Sequence, residues 1–226
     1  MTAAIAYVIL SQVRTADQVL KKMSDAYTSC TSCEVKGEVK TVFHANESGS
    51  ETVVKPFHLW FERPGRWRFE FTEKGERGDT EKFVAWTDKN GAHTWWTLDN
   101  TKTDEESADL AFAFGTGISS GAALTVPNLL DPQSIQGWSV LDIREPKLAE
   151  PEMVGPIHCH KIEGYDFLGD PLTLWIDKDR YRLSKMVVKS QPGGTSVSDR
   201  IKTTTYETTF NKDIPRPIFD FVPPAD

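Results

Sequence analysis

The sequence predicts an α+β fold in which one large antiparallel sheet of about ten strands curls around a few helices. Three features predict it. Two long blocks alternate apolar and polar residues with period two, the signature of strands with one greasy and one wet face. Turn residues rather than helices separate the runs within each block, so there is no βαβ alternation. Between the blocks, about forty residues lose the alternation and turn to alanine, glycine and helix-capping signals.

The elements follow in chain order. Residues 1–14 contain a short apolar run, Ala3–Leu10, without the charged start or small-residue cleavage site of a secretory signal. They are read as an N-terminal segment, a signal remnant, ahead of one domain over 15–226. Thr15-Ala-Asp-Gln18 is a capping box. Val19, Leu20, Met23, Ala26 and Tyr27 then recur at helical spacing, with Lys21, Lys22 and Asp25 opposite. The pattern predicts an amphipathic helix of about four turns with one face to lay on something.

The period then becomes two. Val35, Gly37, Val39, Thr41 and Phe43 alternate with charged residues, and Asn46-Glu-Ser-Gly49 turns the chain. Phe57, Leu59 and Phe61 form the next apolar row, and Trp67, Phe69 and Phe71 follow after Arg63-Pro-Gly65. Two further strands, near 80–88 and 92–98, flank the hairpin turn Asp88-Lys-Asn-Gly91. Thr103-Asp-Glu-Glu106 reads as a second capping box, so a helix is expected over 104–114. Gly115 and Gly117 break it, a second piece is expected over 118–125, and a short third piece starts at Pro127 and ends at Asp131-Pro132. Strands resume near 138–146, 156–165, 170–177, 181–190 and 197–211, with turns at Gly164–Gly169, Asp177–Arg180 and Gln191–Gly194. A proline-guarded aromatic tail closes the chain.

A formal charge of −7 argues against nucleic acid as a partner, because phosphate binding wants a basic surface. No apolar run approaches the length of a membrane-spanning helix. Gly117-Ile-Ser119-Ser-Gly121 matches the G-x-S-x-G pattern that can place a serine nucleophile on a strand-to-helix turn. Asp142 and His158 would complete a triad in the right order. The context is wrong, however: that chemistry sits on a parallel sheet, and the residues before Ser119 read as helix. No catalytic residue is therefore assigned. Gly115, Gly117 and Gly121 are not spaced as a phosphate loop and read as joints between helical pieces.

Cys30-Thr-Ser-Cys33 spells C-x-x-C but closes a helix, where a redox motif would open one. Two plain readings remain: three ordinary buried cysteines, or a disulfide from Cys30 or Cys33 to Cys159, first of all Cys30–Cys159, which would imply an oxidising compartment. His158 and His160 share a strand face with no third ligand in sight, so no metal and no cofactor is expected. Asn46-Glu-Ser48 is a glycosylation sequon, a short match of little weight.

The capped first helix running into Tyr27-Thr-Ser-Cys30, the strand pair around Phe61-Glu-Arg-Pro-Gly-Arg-Trp-Arg-Phe69, the hairpin Leu172-Thr-Leu-Trp-Ile-Asp-Lys-Asp-Arg-Tyr181 and the closing Phe219-Asp-Phe-Val-Pro-Pro224 resemble the LolA/LolB-like superfamily, over about residues 15–224. That resemblance implies a half-barrel with helices on its concave side, in the bacterial periplasm or cell envelope. It implies a carrier that holds acyl chains of lipids or lipoproteins between sheet and helices. It also implies a second use of the fold, an envelope-stress sensor that binds an envelope protein. The insert near 103–131 would be a lid. Its Leu110, Phe112, Phe114, Ile118 and Leu124 would close over Phe57, Leu59, Phe61, Trp67, Phe69, Phe71 and Trp96.

Overall fold

A computed structural model describes residues 15–45, 49–75, 78–190 and 199–224. The predicted turns at 46–48 and 191–194, and the N-terminal segment, lie outside the described residues. Helix α1, Ala16–Ser29, starts where the capping box places it, with the Thr15 hydroxyl accepting from the Gln18 amide. Its buried face is Ala16, Val19, Leu20, Met23 and Tyr27.

The strands are β1 (Ser32–Ala45), β2 (Gly49–Glu62), β3 (Arg66–Lys74), β4 (Thr80–Asp88), β5 (Gly91–Trp96) and β6 (Thr101–Glu105), then β7 (Arg144–Val154), β8 (Ile157–Tyr165), β9 (Pro171–Asp177), β10 (Leu183–Ser190) and β11 (Asp199–Phe210). They form one antiparallel sheet in the order β6-β5-β4-β3-β2-β1-β11-β10-β9-β8-β7. Each block is a meander, and the first strand of one pairs with the last strand of the other over twelve residues, Cys33 opposite Phe210 to His44 opposite Asp199. The sheet does not close on itself. It is a half-barrel whose concave side holds the main hydrophobic core and three helices: α1, α2 (Ala108–Ile118) and α3 (Ala122–Leu130).

Three sequence expectations are corrected. Residues 103–105 are not helix but part of β6, an exposed edge strand paired to β5, with Thr94 opposite Thr103. α2 begins four residues later than expected, capped by Ser107, whose hydroxyl accepts from the Leu110 amide. The second and third helical pieces are one helix, α3, with Pro127 inside it. β7 starts at Arg144 rather than 138. A single 3₁₀ turn, Val140–Asp142, precedes it, held by a Ser139–Asp142 capping box.

The aromatic tail does not merely end the chain. It crosses the outer face of β3–β5, where Arg68 donates to the Ile218 carbonyl at 2.8 Å. Phe221 stacks edge-on to Trp86 at 5.0 Å, over a small outer cluster of Val84, Trp86 and Trp95.

Candidate functional site

Strand alternation builds an aromatic floor on the concave face. In register, Phe57 stands opposite Phe71, Leu59 opposite Phe69 and Phe61 opposite Trp67. Phe71 then faces Phe83, and Phe83 faces Trp96. Ring centroids lie 4.1 Å apart for Phe61–Trp67 and 5.7 Å for Phe71–Phe83. Phe112 of α2 meets this floor edge-on, 5.2 Å from Trp67 and 6.3 Å from Phe69. Such edge-to-face contacts suit the quadrupoles of the rings.

Gly115 lets α2 sit this close. A Cβ there would come within 3.1 Å of both Ala123 on α3 and Phe83 on the floor. α3 is buried at every residue but Leu124. The two helices meet at a tight turn in which Ser120 and Gly121 take positive φ, 57° and 93°.

Seven of the twelve residues predicted from sequence converge in one buried cluster: Phe57, Leu59, Phe61, Trp67, Phe69, Phe71 and Phe112. Trp96, Ile118 and Leu124 are partly buried and pack against it. Leu110 and Phe114 do not join. They are 37% and 56% exposed. One turn apart, they share the helix face opposite Phe112 and Gly115. The floor and the underside of the helices fill each other. An open cleft of about 640 Å³ lies at the rim instead, lined by Glu73, Asp79, Glu81, Trp96 and Leu98.

Two lysines that sequence reasoning missed flank the turn between the helices. Lys55 is on β2, in the same alternation as Phe57, so it faces inward. Its Nζ donates to the Ile118 carbonyl at 2.6 Å and pairs with Glu73 at 2.6 Å, both side chains being largely buried. It therefore ties the end of α2 to the sheet. Lys202, on β11 opposite Thr41, also faces inward, and its Nζ lies 3.5 Å from where a Cβ on Gly121 would stand. A signal existed in the sequence: each lysine occupies a position whose parity assigns it to the greasy face.

Ser119 is fully buried, and its hydroxyl accepts from the Ala123 amide at 3.1 Å. That bond caps the start of α3. Asp142 is engaged with Ser139 in the capping box, and among the described residues no hydrogen bond joins Ser119 to either Asp142 or His158.

The Cys30–Cys159 disulfide is not formed. Cys30, Cys33 and Cys159 are buried free thiols. Cys30 and Cys33 belong to the concave core, whereas Cys159 packs with Trp175 and Val187. Trp175 alternates with the core residues Leu174 and Ile176, so Cys159 is on the outer face with the sheet in between. Burial pushes the Cys30 thiol up to about 11 and the Cys33 and Cys159 thiols upward as well, which keeps them protonated. His160 stacks on Tyr181 at 6.0 Å, and no cluster of three metal-ligating side chains occurs among the described residues.

No protein-family profile matches the sequence, and no curated protein is detectably similar to it. The fold does have solved counterparts. LprF from Mycobacterium bovis superposes with a TM-score of 0.51 at 14% identity, over 89% of this chain and 96% of that one. A LolA superfamily protein from Nitrosomonas europaea gives a TM-score of 0.35 at 11% identity, over 92% and 98%. MucB, in the complex structure of Pseudomonas aeruginosa MucA/MucB, gives 0.45 at 10% identity, over 89% of this chain and 59% of that one. These are likenesses of fold. No helix among the described residues is long and apolar enough to cross a membrane.

Proposed function

We propose that this chain is a non-catalytic binding protein of the bacterial cell envelope, which takes an acyl chain of a lipid or lipoprotein between its aromatic floor and the α2–α3 lid. The observation that carries this reading is the make-up of the lid contact. Rings, alanines and a glycine face an apolar floor, while the polar ties to the sheet sit at the ends of the lid helices: Lys55 on the Ile118 carbonyl, and Arg63 donating to the Leu130 carbonyl at 2.9 Å. Apolar surfaces without directional bonds separate and re-form around an apolar guest at low cost, because the guest replaces the contacts that the lid gives up. In the closed state Phe112 occupies the place that a chain would take.

Native mass spectrometry of the purified protein, followed by organic extraction, tests the reading. A bound acyl species, lost in a folded Phe112→Asp variant, is the expected result. An apo mass that does not shift with added phospholipid or lipopeptide would sink it.

A second reading, a module that binds an envelope protein, has its own observation: Leu110 and Phe114 face solvent side by side on α2. It predicts that a Leu110→Ser/Phe114→Ser pair abolishes the partner interaction and leaves acyl uptake untouched.

A further inference from the structure

The hinge end of the concave face holds more positive charge than the lid needs. Lys55 already has Glu73 and the Ile118 carbonyl. Lys202 has neither an ion pair nor a hydrogen bond among the described residues, although it is partly buried beneath the Ser119–Gly121 turn. Arg200, two residues along the same strand and on the same face, reaches among the described residues the Ser190 hydroxyl, at 3.5 Å. Asp166 and Asp170, the carboxylates that act on Lys202, take their hydrogen bonds from other donors. Asp166 Oδ1 accepts from the amides of Leu168 and Asp170, and Asp170 Oδ2 accepts from the Ser190 hydroxyl at 2.5 Å. Neither carboxylate reaches ion-pair distance of Lys202 or Arg200 among the described residues. Burial pulls the Lys202 ammonium pKa down; Arg200 lowers it further, and Asp166 and Asp170 oppose this only partly.

A desolvated ammonium with a second cation beside it and no bound counter-charge is costly, and an anion removes that cost. The surroundings suit one. Thr41, directly across from Lys202 on β1, is a buried hydroxyl on the same face, whereas Ser190, across from Arg200 on β10, gives its one proton to Asp170.

We infer that Lys202 and Arg200, with the Thr41 hydroxyl, form an anion site at the lid hinge that takes a phosphate or carboxylate group, that of an acidic lipid whose chain lies under α2. The inference rests on the carrier reading for its source of the anion, but not for the site itself. A headgroup held at the hinge would leave the chain running along the floor toward Phe112, with its charge matched at one end and its tail dry at the other.

Three probes distinguish the possibilities: dodecyl phosphate, dodecanol and inorganic phosphate, each titrated into the full chain, the Lys202→Gln variant and the charge-keeping Lys202→Arg variant. The readouts are native mass spectrometry and the shift in unfolding temperature. The expected result is dodecyl phosphate bound at least about tenfold more tightly than dodecanol by the unchanged chain and by Lys202→Arg, with the preference lost in Lys202→Gln. Equal binding of the two by the unchanged chain overturns the anion site and leaves the carrier reading standing. If neither amphiphile binds, the carrier reading falls and inorganic phosphate decides. A phosphate-dependent rise in unfolding temperature, absent from Lys202→Gln, keeps the site as one for a free anion. No such rise overturns it. Should Lys202→Gln not fold, Arg200→Gln carries the same comparison.

Discussion

At the scale of single residues, polar side chains in this core serve as ties. Ser119 resembles a nucleophile in the sequence because of the glycines around it. In the structure Gly117 lies within α2, Gly121 and Ser120 take the positive φ of the turn, and the Ser119 hydroxyl accepts from an amide of the first turn of α3. Ser119→Ala is expected to cost about 1 kcal/mol through the lost cap, seen as a lower urea midpoint, with acyl uptake preserved. Loss of an esterase activity instead would restore the serine as a nucleophile. Lys55 is the stronger tie. Lys55→Met keeps the stem that packs near Phe71 but leaves the Ile118 carbonyl and Glu73 without their donor. A loss of about 1–3 kcal/mol is expected, together with faster amide exchange over residues 115–121 than over α1. Unchanged exchange at the α2–α3 turn would show that Lys55 does not hold the lid.

At the scale of elements, what the sequence reveals depends on whether a segment's own residues or its neighbours decide its state. β1 to β3 alternate because one face is buried, and that alternation is written in their side chains. β6 is different. Thr101–Glu105 is polar and exposed up to its last residue, and pairing to β5, not a buried apolar face, makes it a strand, so its acidic run reads equally well as a helix start. β7, with Pro146 and Pro151 in an exposed edge, carries no alternation either. Pro127 reads as a helix start because proline suits a first turn, yet tertiary burial carries α3 through it. The floor of the candidate site was legible for the same reason as its strands. The closed packing of Phe112 and the outward turn of Phe114 were not, because both depend on where α2 begins. Gly37 shows the converse, a strand residue explained only by a neighbour. A Cβ at Gly37 would collide with the Phe57 ring, which crosses β1 at that point, and with the backbone carbonyl of Thr205 on β11. Gly37→Ala is expected to destabilise by about 1–3 kcal/mol as an overpacked site, and Gly37→Ala/Phe57→Leu to recover part of that. A neutral Gly37→Ala in urea unfolding would mean that the ring has another place to go.

At the scale of the whole molecule, the two meanders are joined by the β1–β11 pairing and by charge pairs at the sheet's lower end and outer face, and these set the response to acid. Glu34 on β1 is held below the usual carboxylate range, first by Lys212, from beyond β11; burial opposes this, and His58 of β2 adds to it. Burial would raise Glu70, but Lys82 and Arg68 outweigh it and its pKa is lowered. The same contest lowers Asp177, where burial loses to the amides of Asp179 and Arg180 and to Arg182. A carboxylate lowered in the folded state contributes stability that is present above its unfolded pKa and is lost as pH falls through the folded value. His58 and His160 are lowered by burial, so protonation of these rings also favours the unfolded chain, and this begins near the ordinary histidine value of about 6.5. The two groups therefore act in the same direction in successive windows. Protonating carboxylates also relieves the repulsion of a chain with a formal charge of −7, which works the other way. That effect is spread over the surface and screened by salt, whereas Glu34 and Glu70 are buried enough to hold their partners. Urea midpoints at fixed ionic strength should thus fall in a shallow step between about pH 7 and 5 and a steeper one below about pH 4.5. His58→Gln should flatten the first step, and Lys212→Met should weaken the second. A midpoint that holds constant or rises from pH 7 to 3 would mean that self-repulsion, not pairing, governs this fold in acid.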